Sequence, residues 1–480
     1  MGLTLLGRVK GTLSARVLEE IARKVEKGDK EELAEVFKLI SSLAPARYHR
    51  EGMEKMSRMA REGHPFIGVF KRAFESLHPN VREKLIANLL VNFIVLGRGI
   101  RDRQEKARKI HLPNFLVISP TMRCNLHCRG CYAAEYGKNE ELSYQELDRI
   151  LNEAKDLGMF FFTFTGGECF VREDLLDLWE KHGDCFFQVY TNGTLLDDRV
   201  VQRLLRMGNV ALMVSIEGDE AATDRRRGPG MHKRVMEVFD RLREAGLLFG
   251  FSATCTSENS GELTSDRFLD QMLEKGCLVG WFFQYIPTGL SPDPSLMASP
   301  RQRAQLHERV EQWRREKPIF LGDFWNDGPY VDGCMAGGER FFHIISNGDV
   351  EPCVFAHFAV DNIHGKSLTE VIESPFFKAI RDAQPYDDDN LLRPCMIIDH
   401  PHVLREIVAS QHARPTHPGA ETILGEMSGQ IDRYSVEVKA AFDPVWESAG
   451  REKYVKSLES EEKKEVHDRI GRKISGKKPV

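Results

Sequence analysis

From about residue 114 to about residue 290, short apolar runs alternate with amphipathic stretches, and each amphipathic stretch stops at a glycine. The runs are "NFLVIS", "MFFFTFTG", "FFQVYTNG", "VALMVSIEG", "LLFGFSATC" and "LVGWFFQYIP". Between them lie "SYQELDRILNEAKDLG", "EDLLDLWEKHG", "DDRVVQRLLRMG", "HKRVMEVFDRLREAG" and "SDRFLDQMLEKG". Ser143 and Glu146 make a capping box for the first of these helices. Gly158, Gly183, Gly208, Gly246 and Gly276 end them in turn. Such alternation predicts a parallel sheet with helices outside it. Six units are too few for an eight-fold barrel. The expected core is α/β, an open partial (β/α)6 barrel over 111–320, with its site at the carboxyl ends of the strands.

The flanks follow other rules. Residues 1–110 read as a helical region, with "SARVLEEIARKVEKG" and "KEELAEVFKLISSLA" apolar at three- and four-residue spacing. A third helix, "NVREKLIANLLVNFIVLG", is expected to start with Asn80 as N-cap and Glu83 three residues on. Its apolar face (Leu85, Ile86, Leu89, Leu90, Phe93, Ile94) is broad enough to pack on the main domain, to meet lipid, or to wall a substrate tunnel. Past residue 320, "FFHIISNGDVEPC" predicts a hairpin with a type I′ turn at Asn347-Gly348. Cys334 and Cys353 flank it and Cys395 follows, which defines a domain over 321–402. The remainder, 403–480, reads as a polar helical tail that ends in the basic "GRKISGKKPV".

Composition excludes several function classes. With 480 residues, 41% of them hydrophobic, the chain can bury a large core and form two or three domains. A net charge of -5 and a pI of about 6.4 argue against a nucleic-acid partner. Met1–Lys10 lacks the long apolar core of a signal peptide. The apolar run Leu85–Gly97 is interrupted by Asn88 and Asn92 and is shorter than the ~20 residues a membrane helix needs. Ten cysteines are too sparse for a disulfide framework. Their clustering points to metal binding in a reducing compartment. A cytoplasmic protein is expected, with a membrane-surface contact allowed.

The metal-binding stretch is "RCNLHCRGCYAAEYG", which places Cys124, Cys128 and Cys131 at C-x3-C-x2-C spacing in the loop after the first strand. A [4Fe-4S] cluster takes four thiolates, one per iron. Three leave an open position, which is how a metal site binds a substrate or cofactor. The competing reading completes a Cys3His zinc site with His127.

"CNLHCRGCY" resembles the cluster loop of the radical S-adenosylmethionine (SAM) superfamily. The resemblance implies that SAM chelates the open iron, and that an electron from the cluster splits it into methionine and a 5′-deoxyadenosyl radical. It extends over about 114–290 and, more weakly, 330–400. "TGGE" at the end of the second strand supplies Gly166 and Gly167, which let backbone approach a ligand, and Glu168. By resemblance Glu168 contacts the SAM amino group. The family usually has proline next, where this chain has Cys169, an inert small hydrophobe or a cluster-proximal thiol. Asn192 in "TNGT" can face the ligand or serve the turn. Ser215 and Glu217 in "SIEG" share a strand face and can reach a ribose. In "DRRRG", Arg225 or Arg226 suits the SAM carboxylate by bidentate pairing. Tyr132 resembles the aromatic beside adenine.

The setting of Cys334, Cys353 and Cys395 resembles the SPASM domain or its shorter twitch form, which implies at most one auxiliary [4Fe-4S] cluster here. Its fourth ligand is open among His400, Asp399, Cys277, a substrate, or none. The expected function is reductive cleavage of SAM and hydrogen abstraction from an unactivated C–H. The aromatic strand residues Phe160, Phe161, Phe162, Phe164, Trp281, Phe282 and Phe283 are either plain core or the wall of a lipid-chain site. A lipid substrate is the main expectation, and a ribosomally made peptide or protein is the alternative. A reduced flavodoxin or ferredoxin is the expected electron donor. A non-catalytic zinc or iron–sulfur regulator is the reading from another class.

Overall fold

The computed structural model describes residue 24 and residues 30–43, 47–134, 136–288, 292–452 and 454. Apart from Lys24, the helix expected over 14–28 lies outside the described residues, as does the basic terminus 471–480.

The strands are β1 (Leu116–Ile118), β2 (Phe161–Phe164), β3 (Phe186–Thr191), β4 (Val210–Ser215), β5 (Phe249–Cys255), β6 (Val279–Gln284), β7 (Phe320–Asp323), β8 (His343–Ile344), β9 (Asp349–Glu351), β10 (Phe358–Ala359), β11 (Asp361–Asn362) and β12 (Arg414–Pro415). Ten of them form one sheet in the order β11-β9-β8-β1-β2-β3-β4-β5-β6-β7, and β10 pairs with β12. From β1 to β7 every neighbour is parallel, with Leu116 opposite Phe162 and Phe187 opposite Val210. The sheet's edge strands β7 and β11 do not pair, so the barrel is open, as expected. Two features extend the expectation. A seventh strand, β7, adds to β6, and the hairpin strand β8 joins β1 in parallel, so the hairpin that Cys334 and Cys353 flank belongs to the same sheet.

Local sequence explains the crossovers. Ser143 and Glu146 cap the helix Tyr144–Asp156 reciprocally. Gly208 and Gly246 end their helices in the left-handed region at φ 70° and 71°. Strand residues alternate between two apolar environments. Phe164 and Phe282 face the helices, against Trp179 and Trp313. Phe161, Trp281 and Phe283 face the barrel interior.

Two local expectations are corrected. The N-cap of the helix that starts at Pro79 is His78, not Asn80. Asn80 Nδ2 instead donates to the carbonyls of Leu205 and Arg206 (both 2.8 Å) and so caps the end of a different helix. The β8–β9 turn is not type I′. Gly348 is left-handed at φ 83°, whereas Asn347 is not among the residues with positive φ. Asn347 Oδ1 accepts from the Asp349 amide, and Gly348 N–H donates to Ile345, so one left-handed residue closes the turn.

The apolar helix Leu85–Gly97, wound in the wide π form, spends its face on packing. Ile86 and Leu90 belong to a hydrophobic cluster with Leu33, Phe37, Ala60 and Ile67. Phe93 lies 5.4 Å from Phe161. Asn88 and Asn92 donate to the carbonyls of Cys185 and Asp184, which ties the helix to the amino end of β3. No helix among the described residues is long and apolar enough to cross a membrane.

Phe187 is fully buried between Phe162, Phe164 and Trp179. Phe187→Ala is expected to cost about 3–5 kcal/mol of stability. A denaturant melt of the metal-free protein, followed by far-UV circular dichroism, checks this. A loss under about 1 kcal/mol would contradict the packing described.

Candidate active site

Four loops at the carboxyl ends of β1, β2, β3 and β4 build the site. The backbone of 119–124 lies directly on Gly166 and Gly167. Gly167 N–H donates to Thr121 O (3.0 Å) and Glu168 N–H to Arg123 O (2.8 Å). A Cβ on Gly167 would sit 2.1 Å from Arg123 O, and one on Gly166, which has φ 107°, 2.6 Å from Thr121 O. The glycines therefore make room first for the cysteine loop itself, and the ligand approach expected for them is secondary. From outside, Arg123 pairs with Glu141 at 2.7 Å.

Glu168 is fully buried, and its carboxylate accepts from Thr191 Oγ1 (2.8 Å), Asn192 N (2.8 Å) and Phe170 N (3.2 Å). Burial nevertheless raises its pKa, against those hydrogen bonds. Asn192 Nδ2 donates to Asn125 Oδ1 (2.9 Å) and points at Cys124 Sγ (3.8 Å), so this side chain orders the cysteine loop. Tyr132 holds Thr165 Oγ1 at 2.9 Å and accepts from Gly166 N, while its ring stacks on His357. Cys169 is buried, bonds to Thr165 O at 3.4 Å and does not line the cavity described below.

The β4 loop departs from expectation. Glu217 does not line the cavity. It is fully buried and accepts from Arg226 Nη1 (2.5 Å) and from Arg227 Nε and Nη2 (2.8 and 2.5 Å), and its second oxygen takes the Thr254 amide (3.1 Å). It positions two cations and is not free for a ribose. Arg225 turns away, half exposed, toward Glu258 at 3.3 Å. The arginine that sequence reading missed is Arg227, whose Nη1 lies 4.0 Å from Cys128 Sγ.

These groups surround one cavity of about 320 Å³. Cys124, Cys128, Cys131, Tyr132, Gly166, Gly167, Glu168, Asn192, Ser215, Arg226 and Arg227 line its polar end. Phe115, Phe161, Trp281, Phe283, Phe341 and Phe355 line its apolar end. A second residue missed from the sequence is Gln284, which lines the cavity and whose two amide atoms are buried without a hydrogen-bond partner. Its only signal was a polar residue closing the apolar run of β6.

The donor set fits an iron–sulfur cluster with a ligand beside it. Burial raises the Cys124 and Cys128 thiols, while the Leu126 amide and Arg227 respectively act the other way. A metal would take the place of those protons. The second cysteine set fits likewise. Cys334, Cys353 and Cys395 are close enough for their charges to interact, and the amides of Ala336, Phe355 and Ile397 are aimed at their sulfurs. Burial, then Asp399 and Cys334, push Cys395 up to about 12. Of the fourth ligands expected from sequence, two are engaged by other side chains and the third lies at the other end of a strand. His400 binds Asp387 and Arg393 O (2.7 and 2.8 Å), and Asp399 binds Arg303 (2.5 Å). Cys277 lies at the amino end of β6, where Arg72 bonds to the flanking carbonyls of Leu273 and Pro318.

Comparison with known proteins agrees with this geometry. Residues 118–258 match the family model of the radical SAM superfamily, and residues 334–396 match SPASM, the iron–sulfur cluster-binding domain. The chain is 28% identical over 308 residues to the AdoMet-dependent heme synthase of Methanosarcina barkeri, covering 57% of this chain and 86% of that protein. It is 28% identical to the PqqA peptide cyclase of Granulibacter bethesdensis, covering 51% and 68%. In structure it resembles Streptococcus suis SuiB bound to SAM, with a TM-score of 0.53, 19% identity, and coverage of 75% and 87%.

The chain carries a radical SAM domain over residues 118–258 and, C-terminal to it, a SPASM domain over residues 334–396. Its cofactors are therefore a [4Fe-4S] cluster with SAM in the first domain and auxiliary iron–sulfur binding in the second.

Gly167→Ala is expected to displace the cysteine loop and lower iron and sulfide content by about four irons per chain. Gly137→Ala, with nothing within 4 Å of its Cβ, serves as the control and should match wild type. Equal iron in both variants would contradict the close approach described.

Proposed function

We propose that this radical SAM enzyme takes a hydrogen atom from an unactivated carbon on an apolar group of its substrate. One observation carries the proposal: a single cavity joins three cysteines and a charged rim to an aromatic floor. In this reading Cys124, Cys128 and Cys131 hold the catalytic cluster, and Cys334, Cys353 and Cys395 hold an auxiliary one. Bound together, the cluster and SAM supply the 5′-deoxyadenosyl radical. The protein's part is placement. Glu168, fixed by three donors, receives the SAM ammonium group. Arg227 and Arg226, locked onto Glu217, leave cationic N–H groups for its carboxylate. Tyr132, Asn192 and Ser215 border the rest of the cofactor. Gln284 offers an unspent amide to the adenine or to the substrate, and the aromatic floor excludes water.

A ribosomally made peptide with an apolar target residue is the substrate we favour. Among the relatives are the PqqA peptide cyclase and the sporulation killing factor maturation protein SkfB of Bacillus subtilis, and SuiB has been solved with its precursor peptide SuiA. The second reading is a lipid chain, favoured by a cavity floor built from Phe115, Phe161, Trp281, Phe283, Phe324 and Phe341. A reduced flavodoxin or ferredoxin would deliver the electron.

Anaerobic, reconstituted protein with SAM and dithionite is expected to form 5′-deoxyadenosine, and Cys124→Ala to form none. Stimulation by peptides encoded beside the gene would support the peptide reading, and stimulation by a total lipid extract the lipid one. No product from protein with a verified cluster would contradict the proposal. Gln284→Leu should lower kcat/KM about tenfold or more, equivalent to about 1.4 kcal/mol, with the iron content unchanged.

A further inference from the structure

We propose that Tyr386 closes the auxiliary centre, its phenolate oxygen serving as the fourth ligand beside the thiolates of Cys334, Cys353 and Cys395. The inference rests on the reading of those three cysteines as cluster ligands. Three thiolates leave one iron without a protein ligand; His400 and Asp399 are engaged as described above, and Cys277 lies at the amino end of β6.

Tyr386 is differently placed. Its hydroxyl is buried and has no hydrogen-bond partner among the protein's nitrogens and oxygens. It faces the Cys334 sulfur, with the Cys395 and Cys353 sulfurs near enough to act on it electrostatically. Its ring lies 5.4 Å from that of His400, which Asp387 holds in place. The backbone is built to keep this geometry. The Gln384 side chain accepts from Cys334 N–H and donates to Cys334 O, both at 3.0 Å, so the segment that carries Tyr386 is tied directly to the first cysteine. With only a thiol sulfur, a weak acceptor, beside it, the buried hydroxyl is poorly satisfied, and an iron–oxygen bond would satisfy it. When the bond forms, the phenol loses its proton to solvent and no oxidation state changes. The resulting centre carries four anionic protein ligands, as a four-thiolate cluster does.

The cavity supports a closed centre. It is lined by Met335, Val354 and Phe355, the chain neighbours of Cys334 and Cys353, but by none of the three cysteines and not by Tyr386. One layer of side chains thus separates the auxiliary centre from the substrate space. A cluster held by these residues would be walled off from the substrate by Met335, Val354 and Phe355, a placement suited to electron exchange and not to binding substrate at iron.

The test uses the full chain with Cys124, Cys128 and Cys131 all changed to Ala, so that only the auxiliary centre can assemble. After anaerobic reconstitution this parent should hold about four irons with matching sulfide and show iron–phenolate bands in its resonance Raman spectrum. Tyr386→Phe should lose the bands and, on mild oxidation, fall to about three irons with the electron paramagnetic resonance signal of a three-iron cluster. Tyr386→Cys should restore the fourth iron. Added 2-mercaptoethanol should change the spectrum of the Phe variant and leave the parent's unchanged. Equal thermal unfolding of parent and Phe variant separates ligation from folding. The proposal is overturned if the parent lacks phenolate bands, or if Tyr386→Phe keeps its fourth iron. It is also overturned if Glu339→Gln, at the buried acid whose charge reaches Cys334, loses that iron in its place. A parent with neither iron nor sulfide would instead overturn the reading of the three cysteines as ligands.

Discussion

Between Arg123 and Gly167 there is no room for a methyl group, and the site depends on that closeness. The cysteine loop has no regular secondary structure of its own from Ser119 to Cys124. It is held by two backbone hydrogen bonds to the Gly-Gly-Glu turn, by Arg123 on Glu141, and by Asn192 and Asn125 at its inner edge. Because Glu168 belongs to the same turn, the contact that shapes the cysteine loop also sets the carboxylate beside it. Metal ligands and cofactor contacts are thus parts of one backbone junction at the carboxyl end of a parallel sheet, where open α/β sheets place their ligands.

Charge is arranged around that junction. Glu217 is a fully buried acid with two arginines on one oxygen, and an acid in that position would be costly without them. The trio leaves one net positive charge at the cavity edge next to Cys128. This suits a site that must hold thiolates and accept a carboxylate. The arginines also fasten the β4 loop to the cysteine loop, since Arg129 N–H donates to Arg226 O and Arg226 Nε to Arg129 O. Electrostatics and loop placement are therefore the same set of contacts. Behind them the floor is aromatic, and the helix Leu85–Gly97 packs against it through Phe93 on Phe161.

The sequence made the architecture legible because its signals were local and repeated. Period-3.6 helices, apolar strands and glycine stops each recurred along the core, and the cysteine spacing fell after the first strand. What escaped it depended on tertiary rotation. Arg225, Arg226 and Arg227 are consecutive on one helix, about 100° apart around its axis, and only docking decides that the third faces Cys128. Asn80 looked like a cap for its own helix because the helix it caps lies 125 residues away. Glu217 looked like a ribose ligand because strand alternation gives the face of a residue but not its partner. Tyr386 and Gln284 carry no motif; Gln284 stands out because its buried amide has no partner, and Tyr386 because its buried hydroxyl faces only the Cys334 sulfur.

The central claim is that SAM supplies the fourth ligand to a cluster held by Cys124, Cys128 and Cys131. Electron–nuclear double resonance of the reduced protein tests it most directly, with SAM labelled with nitrogen-15 in the amino group and oxygen-17 in the carboxylate. The account predicts coupling of both labels to the cluster spin, abolished in Cys128→Ala. A reduced cluster that shows no coupling to either label in the presence of saturating SAM would contradict it.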